Sequence, residues 1–361
     1  MKVSYLGMTS YEGPAPGIEV WPAAPSYCKP EIATASIERT LMLCEKAEAL
    51  GFDWVSLSEH HYAPYIMSPN VAVMAAAISQ RVKKAKIALL GPLVPLSNPV
   101  RLAEELAMVD AMSGGRLVVL FLRGTPNEHN TYDTAADRTR SMTQEGIDLV
   151  IKAWTAEEPF SWSGENYNFS TVSVWPRVAQ TPHPVIYGSG NSDDSIRFAA
   201  SRHMGIAFSF APPEAIKDWI SLYRIEAAKH GWQPTPEHVI YRGLVYVAES
   251  DARAEAEMGA FFGAKAAEQS TLQSKTMGGP PVNALILRPY FLGSPETVID
   301  AFAVLRDMGV GVVDMVFTIG THDQQVAAME LFAASVLPTL RRWDEIPGVA
   351  TIEPVSELAL A

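Results

Sequence analysis

Short apolar runs alternate with longer stretches of helical periodicity along most of this chain. Val3–Met8 reads as a first strand; Ile37, Leu41, Cys44 and Ala47 then recur at helical spacing, and Gly51 closes that helix. Trp54–Leu57 is the second strand, Val71–Ile78 opens a second helix and Lys86–Leu90 is the third strand. Pro99 stands where a helix can start, with Leu102, Leu106 and Val109 on its inner face and Gly114-Gly115 at its end. Arg116–Leu122 is almost continuously apolar, as expected of a parallel strand covered on both faces. A polar loop over 123–136 follows, then a helix to about Trp154 and an aromatic, turn-rich excursion over 159–184. The alternation then resumes, with strands at Val185–Tyr187, Ile206–Ser209, Val239–Ala248 and Val312–Phe317. Helices fall at Ser195–Arg202, Glu214–His230, Asp251–Glu268, Thr297–Met308 and Gln324–Trp343.

Eight strands, each followed by at least one helix and without an internal repeat, predict an α/β fold of the (β/α)8 TIM-barrel type. The expected organisation is a single domain over 1–345, with loop insertions at the C-terminal face of the barrel, and a tail over 346–361. The Gly- and Pro-rich stretch 9–30 reads as a loop over one barrel end. The segment 269–295, with Gly278-Gly279-Pro280-Pro281, reads as a long mobile lid.

Composition narrows the class of partner. With 361 residues and 48% hydrophobic content the chain can bury a large core, and a net charge of −12 disfavours nucleic acid, whose phosphates need a surplus of Lys and Arg. The two cysteines, Cys28 and Cys44, fit a reducing compartment. No stretch approaches the 18 or so apolar residues of a membrane span, and the N-terminus has no signal-peptide core. A soluble, cytoplasmic protein without a membrane partner is expected.

Chemistry concentrates where strands end. The run Trp54–Leu57 stops at Ser58-Glu59-His60-His61-Tyr62, an acid and two imidazoles that can donate, accept or shuttle protons, with the carboxylate able to fix a tautomer. No HxH, HExxH or Cys/His spacing supports a metal there, so none is expected; satisfied structural histidines are the plain alternative. Arg123-Gly124 directly follows the fourth strand, placing a guanidinium over the barrel mouth to grip a phosphate or carboxylate, unless it pairs with Glu128 or Asp133. Gly188-Ser189-Gly190-Asn191-Ser192 joins the fifth strand to a helix, where backbone N–H groups and small hydroxyls suit an anion, although a plain strand-to-helix turn reads the same way. Together the two elements argue for a phosphorylated ligand. Phe121, Trp162, Tyr167, Phe169, Trp175, Tyr290 and Phe291 are candidates to wall an apolar pocket for a flat ring or hydrophobic substrate, with core packing the alternative for Phe121.

These motifs, in their order, resemble the bacterial luciferase-like flavin-dependent monooxygenases. The resemblance is carried by Ala49-Leu50-Gly51-Phe52-Asp53 leading to Glu59-His60-His61, by Asn98-Pro99 through Glu105, and by Asp110-Ala111-Met112-Ser113-Gly114-Gly115-Arg116. It continues through Arg123-Gly124, Gln180-Thr181-Pro182-His183-Pro184 before Gly188-Ser189-Gly190, and Val336-Leu337-Pro338. It implies a (β/α)8 barrel that binds reduced FMN (FMNH2), activates O2 as a flavin C4a-hydroperoxide and oxygenates an aldehyde, ketone or other small organic substrate. It also suggests a homodimer; since the sequence shows no second domain or dinucleotide fingerprint with which to reduce its own flavin, an oxygenase of the two-component type is expected, with FMNH2 supplied by a separate NAD(P)H:flavin reductase. His60 resembles the family's catalytic histidine, with Glu59 and His61 in support. Arg123 and the turn Ser189, Gly190, Asn191 and Ser192 resemble its phosphate site, and Gly91-Pro92 resembles a strained, often cis, peptide beneath the flavin ring. One departure is Leu120-Phe121-Leu122, where the family has small residues; bulk there is expected to narrow the flavin site. Some relatives instead use the deazaflavin F420 for hydride transfer from an alcohol or similar donor, and a few bind flavin without turnover.

Overall fold

The computed structural model describes residues 1–17, 20–211, 213–269 and 291–343. Eight parallel strands close into a barrel in the order β1 (Lys2–Leu6), β2 (Trp54–Leu57), β3 (Lys86–Leu93), β4 (Leu117–Leu122), β7 (Val185–Ser189), β8 (Gly205–Ser209), β9 (Val239–Val247) and β11 (Val312–Val316). Closure is made by β11, which pairs with β1 at Lys2↔Val312 and with β9 at Val312↔Ile240. The chain is therefore the (β/α)8 TIM barrel that its alternating pattern predicts. Three short strands lie outside this ring. The hairpin β5 (Phe160–Ser163) and β6 (Asn168–Val172) forms a separate two-stranded sheet, and β10 (Phe291–Gly293) pairs with the upper end of β9.

The helices pack around the ring because their apolar stripes have only that surface to cover. The first three are α1 (Pro30–Ala49), α2 (Val71–Arg81) and α3 (Pro99–Ser113). Asn98 caps α3 by accepting from the N–H groups of Val100 and Arg101, and Gly114 ends it in the left-handed conformation. Next come α4 (Pro126–Thr131), α5 (Thr139–Thr155), α6 (Asp193–Ser201), α7 (Pro213–Lys229), α8 (Asp251–Gln269), α9 (Pro295–Met308) and α10 (His322–Leu331). The closing helix expected over 324–343 is broken by a π segment, Phe332–Val336, that leads into α11 (Leu337–Arg342).

Inside the barrel the inward residues lie in layers. Trp54, Ile240 and Val312 belong to an apolar bottom layer, where Trp54 meets Tyr187 edge to face. Two residues further along the same strands stand Ser56, Arg242 and Asp314. Asp314 is fully buried and accepts from Ser56 Oγ at 2.5 Å and from Arg242 Nε at 2.7 Å. Leu244 and Val316 restore apolar character one layer higher. A buried ion pair with serine partners thus crosses the middle of the barrel, between apolar layers below and above it.

Several expectations need correction. The third strand runs past its expected end at Leu90 to Leu93, through an irregularity between Leu90 and Leu93, so Gly91 and Pro92 lie within it. Their peptide is not cis; among the described residues the cis bonds precede Pro22, Pro176 and Pro182. Gly91 has φ 145, a conformation that L side chains rarely adopt, whereas a Cβ there would make only ordinary contacts with Glu59 N and Leu122 Cδ1 at 3.5 Å each; the backbone of the bulged strand, and not lack of space, calls for glycine. Most of the expected lid, 270–290, lies outside the described residues, as do Tyr290 and the tail 346–361; at the far end of that segment β10 and the start of α9 are regular structure.

Candidate active site

A cavity of about 1300 Å³ opens at the C-terminal ends of the barrel strands. Glu59 and His60 after β2, Arg123 after β4, Ser189 at the end of β7, and Asn191 and Ser192 after it all line the cavity, so one mouth gathers most of the residues expected to carry chemistry. Gly91, Pro92, Gly190 and His61 are not on its wall. Gly190 lies behind it, donating its N–H to Ala207 O at 2.8 Å.

The histidine corner is organised by a residue that sequence reasoning placed only as a surface partner of Arg123. The polar loop after β4 contains the six-residue helix α4, and Gly124, with φ 88, turns the chain into it; a Cβ on Gly124 would meet Glu128 Cβ at 3.2 Å. Glu128, only 3% exposed, is thereby driven beneath the corner. Its Oε1 accepts from His60 Nδ1 at 2.9 Å and its Oε2 from the His61 backbone N–H at 3.2 Å. A carboxylate accepts only, so this bond makes Nδ1 the protonated nitrogen of a neutral His60 and leaves Nε2 as the basic one. His60 remains 26% exposed on the cavity wall, with its ring 5.4 Å from that of Tyr65. Burial, and then the charge of Glu128, push the Tyr65 hydroxyl up to about 12, so it stays protonated and able to donate. Arg123 accordingly has no ion-pair partner among the described residues and is exposed; its carbonyl accepts from His129 Nε2 at 3.1 Å.

His61 points the other way. It is buried, it meets Tyr132 edge to face, and it lines a second hollow of about 330 Å³ between the β2 corner and α3. Its Nε2 lies 3.5 Å from Glu59 Oε1, and Glu59 is the one residue that lines both hollows. Burial raises the Glu59 carboxyl above its ordinary value of 4.5, against the lowering effect of His61. A raised acid favours the folded state while protonated, and that contribution is lost as pH rises from the ordinary carboxylate value through the raised one. Glu59→Gln is therefore expected to match the wild type in Tm near about pH 4 and to exceed it near about pH 8. A pH series of thermal melts checks this, and a Tm gain independent of pH would show that the Glu59 carboxyl titrates alike in the folded and unfolded chain.

At the opposite side of the mouth, Ser192 caps α6 by accepting from the Ser195 N–H at 3.3 Å, and Ser189 Oγ accepts from the Asn191 N–H at 3.3 Å. Arg140 also lines this end, bonded at 2.8 Å to Asp194 in the first turn of α6. This guanidinium offsets a carboxylate that would otherwise repel an anion, and the sequence carried no signal for it, because Arg140 lies on α5, far along the chain.

The bulk of β4 does not fill the cavity. Strand alternation turns the Phe121 ring towards Trp154, at 6.3 Å between rings, although Phe121 still lines the cavity, and leaves Leu120 and Leu122 facing inward. The aromatic excursion does not wall it either. Glu145 on α5 accepts from Trp162 Nε1 at 3.0 Å and from the Tyr167 N–H at 3.1 Å, tying the hairpin to the helix layer. Trp175 is 82% exposed, and Phe291 stacks on Phe302 at 4.3 Å in the core. Of the described aromatic residues expected to wall the cavity only Phe121 lines it; the rest of the aromatic lining includes Tyr5, Tyr11, Tyr65, Phe210 and Phe317.

A profile for luciferase-like monooxygenases matches residues 19–311. The chain belongs to the luciferase-like monooxygenase family. Within that family it is 21% identical over 323 residues to the oxygenase component of the flavin-dependent trigonelline monooxygenase of Acinetobacter baylyi, a match covering 83% of this chain and 89% of the relative. It is 25% identical over 197 residues to the alkanal monooxygenase alpha chain of Photobacterium leiognathi, covering 54% of this chain and 55% of the relative, so the chain spans about half the length of that curated relative. Among solved structures, the monooxygenase RslO1 from Streptomyces bottropensis superposes with a TM-score of 0.79 at 26% identity, over 94% of this chain and 99% of the other. In this luciferase-like barrel, no described helix is long and apolar enough to cross a membrane.

Proposed function

We propose that this chain is the oxygenase component of a two-component monooxygenase, which takes FMNH2 from a separate NAD(P)H:flavin reductase and oxygenates a small organic substrate such as an aldehyde or ketone. The observation that carries this reading is His60 held by Glu128 on the wall of a large, partly apolar cavity whose far end suits a phosphate. FMN fits the residues present. Ser189, Asn191 and Ser192 offer hydroxyl, amide and backbone donors, Arg123 offers an unpaired guanidinium, and Leu120 and Leu122 offer an apolar bed. Reduced FMN, when bound, would supply the two electrons that activate O2, the C4a-peroxide chemistry that the resemblance implies. The protein's part is to exclude water with its apolar wall and to hold or accept a proton at His60 Nε2, with Tyr65 as a neutral donor beside it. Two free thiols, Cys28 exposed and Cys44 buried, suit a cytoplasmic setting.

The test is an anaerobic titration with FMN, FMNH2 and F420, followed by mixing with O2 in a stopped-flow instrument. Binding of FMNH2, and on mixing a spectrum distinct from both FMNH2 and FMN whose decay changes with an added aldehyde or ketone, is the expected result. Tight binding of F420 with no reaction towards O2 would replace it by hydride transfer, and binding of no flavin would leave the oxygenase reading without its cofactor.

We place the homodimer contact on α2 and α3. These adjacent helices carry Val73 (67% exposed), Met108 (50%) and Met112 (42%), apolar side chains that a second copy would cover. Val73→Glu with Met108→Glu is expected to halve the mass seen by multi-angle light scattering, and an unchanged dimer mass would move the contact elsewhere.

A further inference from the structure

Arg242 has no evident reason to be where it is. It stands on β9 in the middle layer of the barrel, 8% exposed, between the apolar layer of Ile240 and Val312 and that of Leu244 and Val316. Its Nε donates to Asp314 at 2.7 Å and its Nη1 to Ser58 Oγ at 2.7 Å, but its buried Nη2 has no partner among the described residues. A buried pair of this kind adds little to stability over well-packed apolar residues, and an unmatched N–H makes it worse. The pair is also oriented. Arg242 lines the cavity, whereas Asp314, fully buried and bonded to Ser56, does not. The positive end of the pair therefore faces the ligand through a floor of low dielectric, where its field is weakly screened.

We propose that Arg242 is a binding residue for the flat ring, setting a positive charge beneath its electronegative N1–C2=O edge and so favouring the reduced flavin in its N1-deprotonated, anionic form. This rests on the flavin reading above and goes beyond it. Two-electron reduction makes N1 the acidic position of the ring, and loss of that proton spreads negative charge over N1 and the C2 carbonyl. Oxidised FMN carries no such ring charge, so the guanidinium discriminates between the two redox states. Ser58, which accepts from Nη1, ties this floor contact to the corner that begins at Glu59.

The experiment is an anaerobic calorimetric titration of the full chain with FMN and with FMNH2, in buffers of differing ionisation heat so that proton release is read with affinity. The wild type is compared with Arg242→Lys and with Arg242→Met/Asp314→Leu, whose paired apolar replacement avoids leaving one buried charge alone. The wild type is expected to bind FMNH2 about tenfold or more tightly than FMN above neutral pH, and to release a proton on binding FMNH2 below it. The lysine variant should retain most of this preference, while the double variant should lose it yet bind FMN within about threefold of wild type. A double variant that keeps the preference would make Arg242 structural, and a wild type that binds both forms equally would also overturn the proposal while leaving the flavin reading intact. A wild type that binds neither form would overturn both.

Discussion

Glu128→Gln is expected to lower substrate oxygenation by about 10²–10⁴-fold, the range over which a misplaced general acid or base acts. The carboxylate touches His60 Nδ1 at 2.9 Å and the His61 N–H at 3.2 Å, and both bonds depend on its being an acceptor at each oxygen. An amide of the same shape can offer only one acceptor. If its oxygen keeps the His61 N–H, its NH2 faces Nδ1, the proton moves to Nε2, and the nitrogen available to a ligand becomes a donor instead of a base. If the amide flips, the His61 backbone loses its partner and the corner shifts. Flavin affinity should change by less than about threefold, since Glu128 is remote from the Ser189–Ser192 end, so the loss should fall on the chemical step. Single-turnover mixing of the FMNH2 complex with O2 and substrate measures this. A rate within about threefold of wild type would mean that Glu128 holds the loop and does not orient the base.

Asp314→Ala is expected to have the largest effect on stability, because it leaves the Arg242 guanidinium buried without its counter-charge and Ser56 Oγ without its acceptor. Removing one partner of a buried pair costs about 3–5 kcal/mol. With an unfolding entropy of about 2.1 cal/mol/K per residue, that loss lowers Tm by roughly 4–7 °C for a chain of 361 residues. Arg242→Met/Asp314→Leu should recover most of the loss, since no charge is then left alone. Thermal scans of the three proteins decide it. A drop below about 1 °C in the single variant would mean that water reaches the pair and screens it.

The elements that were legible in the sequence were those whose signal is local. Trp54–Leu57 is bounded where its apolar run ends, and α3 is bounded by Asn98-Pro99 and Gly114, caps that act within one turn. The eightfold alternation implied the barrel, and the barrel implied that Glu59, His60, Arg123 and the Ser189–Ser192 turn would share one mouth. Even the departure at Leu120-Phe121-Leu122 had a local answer, because alternation along a strand sends every second side chain outward.

What only the tertiary structure decided depends on contacts between distant parts of the chain. His60 and His61 look equivalent in sequence, yet one faces the cavity and the other the hollow beside α3, because adjacent residues at a strand end must diverge. Glu128 lies 68 residues from His60, and its role follows from the turn at Gly124 and a six-residue helix too short for periodicity to mark. Arg242 and Asp314 left a trace, a single charge interrupting each of two apolar strands, but their pairing rests on the closure of β9 against β11. The sequence by itself determined the barrel and the end of it where chemistry resides, since hydrophobic periodicity and capping are short-range. Which carboxylate orients the histidine, and which guanidinium forms the cavity floor, was decided by how strands and loops distant along the chain meet around the closed ring.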